Sequence, residues 1–390
     1  MKSACDTDRA TTLLCDLIQF ETVNPMGPDS TLIRPVERPV VEYLENLFDP
    51  FDVPLTRQAV GGLHENLVVE IAGESDGPAV LFDAHMDTVS ADDWADQAFS
   101  PRVDGDVILG RGACDDKGPM VSMLLPLLEM LEAGRRPPSK VVFLASGDEE
   151  HGATGIAHFV ASTDTEFALG VFAEPTRNLP VVQHKGVARW DITAHGKSAH
   201  TSQPEMGVNA IHEMMKVVEA ISGYEESLQA AHDNPLVTGP RITPSIIQGG
   251  IGRNTVPDRC TVSVDFRIVP GRDPHEERQR LIDFLAEQEV ELSHSEPLVA
   301  VRPVSTSPDH PMVHTILEIC GGVLGEQVRP QGAPYGTNAS RWPGDIPAVV
   351  MGPGDIGNAH AIDEKITIPE LMQAAKIYGE CMMTDWGNHD

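Results

Sequence analysis

Basic residues are scarce in this chain: 28 Lys and Arg stand against 59 Asp and Glu over 390 residues, a formal net charge of −31. Neutralising phosphates needs a strongly basic patch, and no Lys/Arg cluster supplies one, so nucleic acid is excluded as a partner. The same sign disfavours anionic membrane surfaces, while fitting solubility, attraction of cations or growth at raised salt. Cysteine is equally sparse. The six at positions 5, 15, 114, 260, 320 and 381 form no C-x-x-C pair, which excludes a disulfide framework and a thiolate zinc site. Cys114 precedes Asp115 and Asp116, whose carboxylates raise a thiol pKa and argue against a nucleophile. No apolar run reaches the ~18 residues of a membrane span. The most apolar stretch, Met120 to Leu131, is interrupted by Pro126 and Glu129. Met1 to Asp8 carries two acids where a signal peptide needs basic and then apolar residues, so the expected location is the cytoplasm.

What is present is enough apolar sequence, 41%, for a large core, and a length that suggests two or three domains. Up to about residue 180, short apolar runs alternate with helical patterns, which predicts a mostly parallel sheet covered by helices. Strands are expected at Asn66 to Ile71, Ala79 to Asp83, Val141 to Ala145 and Leu169 to Ala173. A buried helix is expected from Pro119 to Ala133, closed by Gly134. From about Val182 the texture changes. Arg259 to Val269 and Gly186 to His195 alternate apolar and polar residues, as half-covered antiparallel strands do. With helices at Gly207 to His232 and Pro274 to Glu289, residues 182–298 read as a strand-helix-strand-strand-helix-strand insert. The first texture returns with a helix near Met312 to Leu324, a strand at Ala348 to Met351 and a helix at Pro369 to Met383. The expected organisation is thus one domain over 1–181 and 299–390, interrupted by another over 182–298.

In an open parallel sheet, ligands bind beyond the carboxyl ends of the strands. Four predicted strands end in metal-type ligands: His85 and Asp87; Asp148, Glu149 and Glu150; Glu174; and, through a glycine-rich loop, His360. Asp115 and Asp116 lie in a turn before the Pro119 helix. A single strand-end acid is ordinarily a solvated turn residue; five such places converging on one edge are not explained that way. The reading is a pair of divalent cations held by two imidazoles and three or more carboxylates, which would otherwise repel one another. Two such ions can share a carboxylate and activate a water between them. Of the acids at 149 and 150, one then ligates and the other remains free as a base. An aspartate two residues after a ligating histidine, as Asp87 is after His85, can accept its second N–H and fix the tautomer. Gly352-Pro-Gly-Asp-Ile-Gly357 is a literal G-x-G-x-x-G, but Asn358 to Ile368 lacks helical period, so it reads as a turn delivering His360.

Taken in order, His85-Met-Asp87, Gly112-Ala-Cys-Asp115-Asp-Lys-Gly118, Asp148-Glu149-Glu150, Ala173-Glu174-Pro-Thr176 and Ala359-His360-Ala-Ile-Asp363-Glu364 carry a resemblance. They are similar to the metal-site motifs of the zinc-dependent deacylase and exopeptidase family of acetylornithine deacetylase, succinyl-diaminopimelate desuccinylase, the aminoacylases and the glutamate carboxypeptidases. Gly196-Lys-Ser-Ala-His200, Arg253-Asn254-Thr-Val-Pro257-Asp and Asp265-Phe-Arg267 resemble the lid-domain motifs of that family. The resemblance implies a zinc-exopeptidase-like α/β domain, its mostly parallel sheet sandwiched by helices, with an inserted α+β, ferredoxin-like lid and dimerisation domain. It implies that His85 and Glu174 serve one metal, Glu150 and His360 the other, and that Asp115 bridges them. Asp115 is taken over Asp116 because it fits the D-x-K-G spacing. Glu149 would be the general acid/base, Asp87 the orienter of His85, and His200 a stabiliser of the oxyanion, in some dimeric members reaching across from the partner. Asn254, Arg267, Gly336 and Thr337 would contact the substrate, chiefly its carboxylate.

The resulting expectation is a cytoplasmic, homodimeric dizinc amidohydrolase acting on an N-acyl amino acid or related small amide. Cobalt and manganese suit the same donors. A dipeptidase or carboxypeptidase uses identical chemistry with a different pocket, and a non-catalytic ligand-binding relative is the reading from another class; the intact set of base, bridge and ligands argues against the latter. Substrate choice lies in pocket shape and not in the metal motifs.

Overall fold

The computed structural model describes residues 7–27, 34–92 and 94–388. Most of the acidic N-terminal segment, Met1 to Asp6 with Cys5, lies outside these residues, as does His389. The chain forms two compact units. The first takes residues Met1–Val182, Thr306–Gln331 and Thr337–Asp390, and the second Gln183–Ser305 with Gly332–Gly336.

The sheet of the first unit is built on strands that read as continuous apolar runs. Ala79–His85 and Val141–Ser146 are buried at every position, as strands covered on both faces must be. Ala79–His85 runs parallel to Val141–Ser146 on one side and to Phe167–Phe172 on the other, and Phe167–Phe172 is parallel to Ala348–Val350. Parallel strands share one carboxyl edge, so the residues after His85, Ser146, Phe172 and Val350 emerge together. His64–Ile71 departs from the expected parallel pattern and pairs antiparallel with Val141–Ser146. Its connection to Ala79 spans only residues 72–78, too short for the crossover helix that parallel strands require. A strand not anticipated from the sequence, Leu55–Val60, pairs antiparallel with it and forms the edge.

Helices Thr7–Ile18, Lys117–Glu132 and Ile368–Met382 pack on one another, and Arg38–Phe48 and Thr154–Ser162 lie against His64–Ile71. Lys117–Glu132 is buried nearly all round. It ends in a Schellman motif: the N–H of Gly134 (φ +62°) bonds Leu131 O and that of Arg135 bonds Met130 O. Its first turn needs Gly118, where a Cβ would sit 2.1 Å from the Ala113 carbonyl oxygen, so the preceding Asp115–Asp116 turn packs directly on the helix start. That opening is two residues earlier than the expected Pro119.

In the second unit, strands Gly186–His195, Arg241–Gly249, Arg259–Ile268 and Leu292–His294 alternate with helices Ala210–Ala230 and Pro274–Ala286. In space the strands lie second, third, first, fourth, all antiparallel, the ferredoxin-like arrangement. The period-two pattern of Arg259–Ile268 is reproduced residue for residue: Cys260, Val262, Val264, Phe266 and Ile268 are buried with Trp190 and Ile192 under Met214, Val217, Leu281 and Leu285 of the helices. Asn209 and Asp273 cap the two helices, each accepting N–H groups of the first turn. Arg241–Gly249 is an edge strand with Ile246 57% and Ile247 58% exposed.

Candidate metal centre

Seven of the expected residues meet beyond the carboxyl edge of the first unit's sheet. His85, the last residue of its strand, is 2% exposed. Its Nε2 lies 3.0 Å from Asp115 Oδ1, while the other carboxylate oxygen of Asp115 lies 3.3 Å from His360 Nε2. Asp115 therefore stands between the two imidazoles. Asp116 Oδ2 accepts the backbone N–H of His85 at 3.1 Å, and ligand-type atoms of His85, Asp115 and Asp116 also lie within 4.8 Å of one another. His360 also reaches Glu150 Oε2 at 3.3 Å. It is carried on a backbone in the left-handed region (φ +60°), a conformation that collects at functional sites. Ligand-type atoms of His85, Glu149 and Glu174 lie within 4.8 Å of one another, as do those of Asp115, Glu150 and His360.

The Asp87 contact differs in its atoms from the sequence expectation. His85 Nδ1 is 2.9 Å from the backbone carbonyl of Asp87, whose carboxylate is 3.7 Å away. That carboxylate also holds the Glu149–Glu150 turn: Oδ1 accepts the Glu149 N–H and Oδ2 the Glu150 N–H, both at 3.1 Å. The turn it holds is the one that presents the acid pair.

The cluster is rich in carboxylates and short of cationic partners. Among the described residues, no Lys or Arg pairs with Asp115, Glu149, Glu150 or Glu174, and the carboxylates of Glu149 and Glu174 make no hydrogen bond. Burial, and then the charges of Asp115 and Glu149, push Glu174 well above the carboxylate range despite the nearby His85. Burial likewise raises Glu149 to about 8, with Glu150, Asp87 and Asp115 adding to it. His360 is raised to about 10 by its bonds to Asp115 and Glu150, which outweigh burial. Crowded carboxylates with no Lys or Arg counter-charge form, together with the two imidazoles, the oxygen and nitrogen donor set of divalent cations, and the chain's residues fit two such ions.

Glu364 closes the His360 motif, and its sequence position alone assigns it no role. It is fully buried, and its Oε1 accepts the N–H groups of Cys114 (2.8 Å) and Asp115 (2.9 Å) while Oε2 pairs with Arg111 at 2.6 Å. No local pattern links positions 111 and 364, so only the fold reveals them as the support of Asp115. Arg111→Ala leaves Glu364 buried and uncompensated; the expected cost is about 3–5 kcal/mol, read from the denaturation midpoint. Glycines bring the His360 loop close: a Cβ on Gly352 would lie 2.7 Å from Glu174 O, and one on Gly354 2.7 Å from Cys114 Sγ. The loop is the expected turn, with no helix at residues 352–364.

The remaining expected residues, apart from Thr337, belong to the second unit. His200 pairs with Thr255 in a two-stranded ladder, exposed, its Nδ1 2.8 Å from Ser202 Oγ. Asn254 is exposed, and its backbone carbonyl accepts the Thr201 N–H. Arg267 donates Nε–H to Asp265 at 2.7 Å, and Gly336 is exposed. Thr337, in the first unit, is buried and caps the turn Asn338–Arg341, accepting the Ala339 N–H.

A parallel-edged α/β sheet whose strand ends gather two imidazoles and at least four carboxylates defines a metal-dependent hydrolase. The match is specific: residues 81–384 fit the model of peptidase family M20/M25/M40, and the chain belongs to that family. It is 30% identical to acetylornithine deacetylase of Vibrio vulnificus over 87% of this chain and 91% of that protein. Identity is 26% to the Staphylococcus epidermidis protein named probable succinyl-diaminopimelate desuccinylase, over 94% and 95%. The fold matches an M20 family metallo-carboxypeptidase from Sulfolobus solfataricus with a TM-score of 0.75 at 20% identity, covering 99% of this chain and all of the other. A Bacillus subtilis protein described as a dinuclear metal-binding M20 peptidase aligns with a TM-score of 0.67 at 16% identity, covering 97% and 98%. The chain is a metal-dependent amidohydrolase or exopeptidase.

Proposed function

We propose that the protein hydrolyses the amide bond of an N-acyl amino acid or a related small amide, with two divalent ions, zinc in the first place, held by His85, Glu174, Asp115, Glu150 and His360. The observation that carries this reading is the Glu149 carboxylate, grouped with His85 and Glu174 yet without a hydrogen bond of its own. Bound there, the ions would supply Lewis acidity, polarising the amide carbonyl and lowering the pKa of water. Glu149 takes the proton from the attacking water and returns it to the leaving amine. Asp87 holds that base in place through the Glu149 and Glu150 N–H groups. His200 stabilises the oxyanion, and Asn254, Arg267, Gly336 and Thr337 bind the substrate carboxylate.

The named deacetylase and desuccinylase relatives support a deacylase. N-acetyl, N-succinyl and dipeptide substrates tested side by side check it: acyl amino acids are expected to be cleaved with the highest kcat/KM, and a preference for dipeptides would make the protein an exopeptidase.

A homodimer through the second unit belongs to the same reading. Edge strand Arg241–Gly249 leaves a ladder side open, flanked by exposed Ile246, Ile247 and, on the adjoining helix, Met215 at 63%. Light scattering is expected to give twice the chain mass, and Ile247→Asp one chain mass.

A further inference from the structure

A second buried polar cluster lies behind the turn that carries Glu149 and Glu150, and the reaction as proposed makes no use of it. Glu37, fully buried ahead of helix Arg38–Phe48, lies with Oε1 2.7 Å from His64 Nδ1, and its Oε2 accepts the Glu65 N–H at 3.2 Å. The other ring nitrogen of His64 lies 3.5 Å from Asp148 Oδ1. Asp148 accepts Thr154 Oγ1–H at 2.5 Å and Asn24 Nδ2–H at 3.0 Å. Asn24 Nδ2 also donates to Asp87 at 2.8 Å, and Asp87 receives the N–H groups of Glu149 and Glu150. A continuous path therefore runs from Glu37 to the backbone of the base.

The turn has reasons to need it. Asp148 (φ +61°) and Ala153 (φ +49°) both hold left-handed backbone, which persists only where the surroundings over-determine it. Glycine at 147 lets Glu37 pack against the turn, since a Cβ there would be 2.7 Å from Glu37 Oε1. Asn66 completes the cradle, accepting the Gly147 N–H at 3.1 Å and donating to Gly155 O at 2.9 Å. Three acids, Glu37, Asp148 and Asp87, share the path, and among the described residues the single side chain on it able to carry positive charge is His64.

We infer that the His64–Glu37 pair is a positioning device for the reaction: it fixes Asp148, and through Asn24 and Asp87 it sets the Glu149–Glu150 turn and so the Glu149 carboxylate at the reacting atoms, while neither His64 nor Glu37 itself contacts a proposed metal ligand. Misplacement of a catalytic group by about 1 Å costs on the order of 10²-fold. The inference rests on Glu149 being the base.

The experiment compares His64→Ala, Glu37→Gln, Asp148→Asn and the double variant His64→Ala/Asp148→Asn in zinc-loaded protein, with metal content measured on each sample. The expected result is a 10- to 100-fold loss of kcat in each single variant with KM within twofold and two metals per chain. The double variant is expected to be no slower than the slower single one, since both act through one path. His64→Asn, which keeps a donor near the Nδ1 position, is expected to recover at least a third of the lost kcat. Unchanged kcat in His64→Ala, multiplicative losses in the double variant, or losses that follow missing metal would each overturn the inference. If His64→Ala does not fold, near-isosteric Glu37→Gln decides it by the same kcat criterion. Glu149→Gln run in parallel separates the two readings: an active Glu149→Gln removes the base assignment, whereas an inactive one beside a fully active His64→Ala removes only the positioning role.

Discussion

Glu149→Ala is expected to lower kcat by about 10³-fold or more, the upper part of the range for a lost general acid/base, while the protein still binds two metals per chain. The separation of the two effects follows from the geometry. The Glu149 side chain lies beside His85 and Glu174, but Asp115, Glu150 and His360 form their group without it. Truncation removes a buried carboxyl that the metal-free cluster holds protonated to about 8, so the fold is expected to be no less stable before metal is added. Turnover within tenfold of the native rate, with metal content intact, would falsify the assignment. KM is expected to change little, because the base acts on the proton in flight and not on the bound ground state.

Stripping the metals is the second large effect. Chelation is expected to abolish turnover and to lower the thermal midpoint, because Asp115, Glu149, Glu150 and Glu174 then crowd one edge with no cation but the protonated imidazoles. Zinc restored at a thousand times its dissociation constant contributes about 4 kcal/mol per site. The effect has a direction in pH. Ligation needs neutral imidazole and ionised carboxylate, whereas in the metal-free fold His360 keeps its proton to about 10 and burial holds the Glu174 carboxyl well above the carboxylate range. Protonated His360 stabilises the metal-free protein fully below its ordinary 6.5, and that contribution is lost as pH rises through about 10. The zinc-induced rise in midpoint should therefore be larger at pH 8 than at pH 6, and loading should release protons, measured calorimetrically in two buffers of different ionisation heat. An equal rise at both pH values would show that these groups do not hold the metals.

Much of the site was legible because it is written as strand ends. His85, Glu149, Glu150 and Glu174 each follow an apolar run whose burial on both faces is a local property, so their convergence could be argued from one parallel edge. The alternation in Arg259–Ile268 was equally explicit, since a two-residue period has one structural meaning. Direction was less legible: His64–Ile71 has the apolar content of its neighbours yet runs antiparallel, because residues 72–78 are too few for a crossover. Leu55–Val60, half polar on an edge, gave no apolar run to notice.

Sequence alone determined the chemistry of this protein: which residue types are present, that thiolates are not among the ligands, and that carboxylates and imidazoles recur where strands end. Tertiary structure decided which of them act on which. The Asp115 carboxylate between His85 and His360, the Asp87 carboxylate accepting the Glu149 N–H, and the pairing of Arg111 with Glu364 across the chain all depend on atoms brought to within 2.6–3.3 Å by long-range packing. Spacing along a chain encodes residue type and face. It does not encode contacts between segments hundreds of residues apart, which exist only once the sheet has ordered its strands.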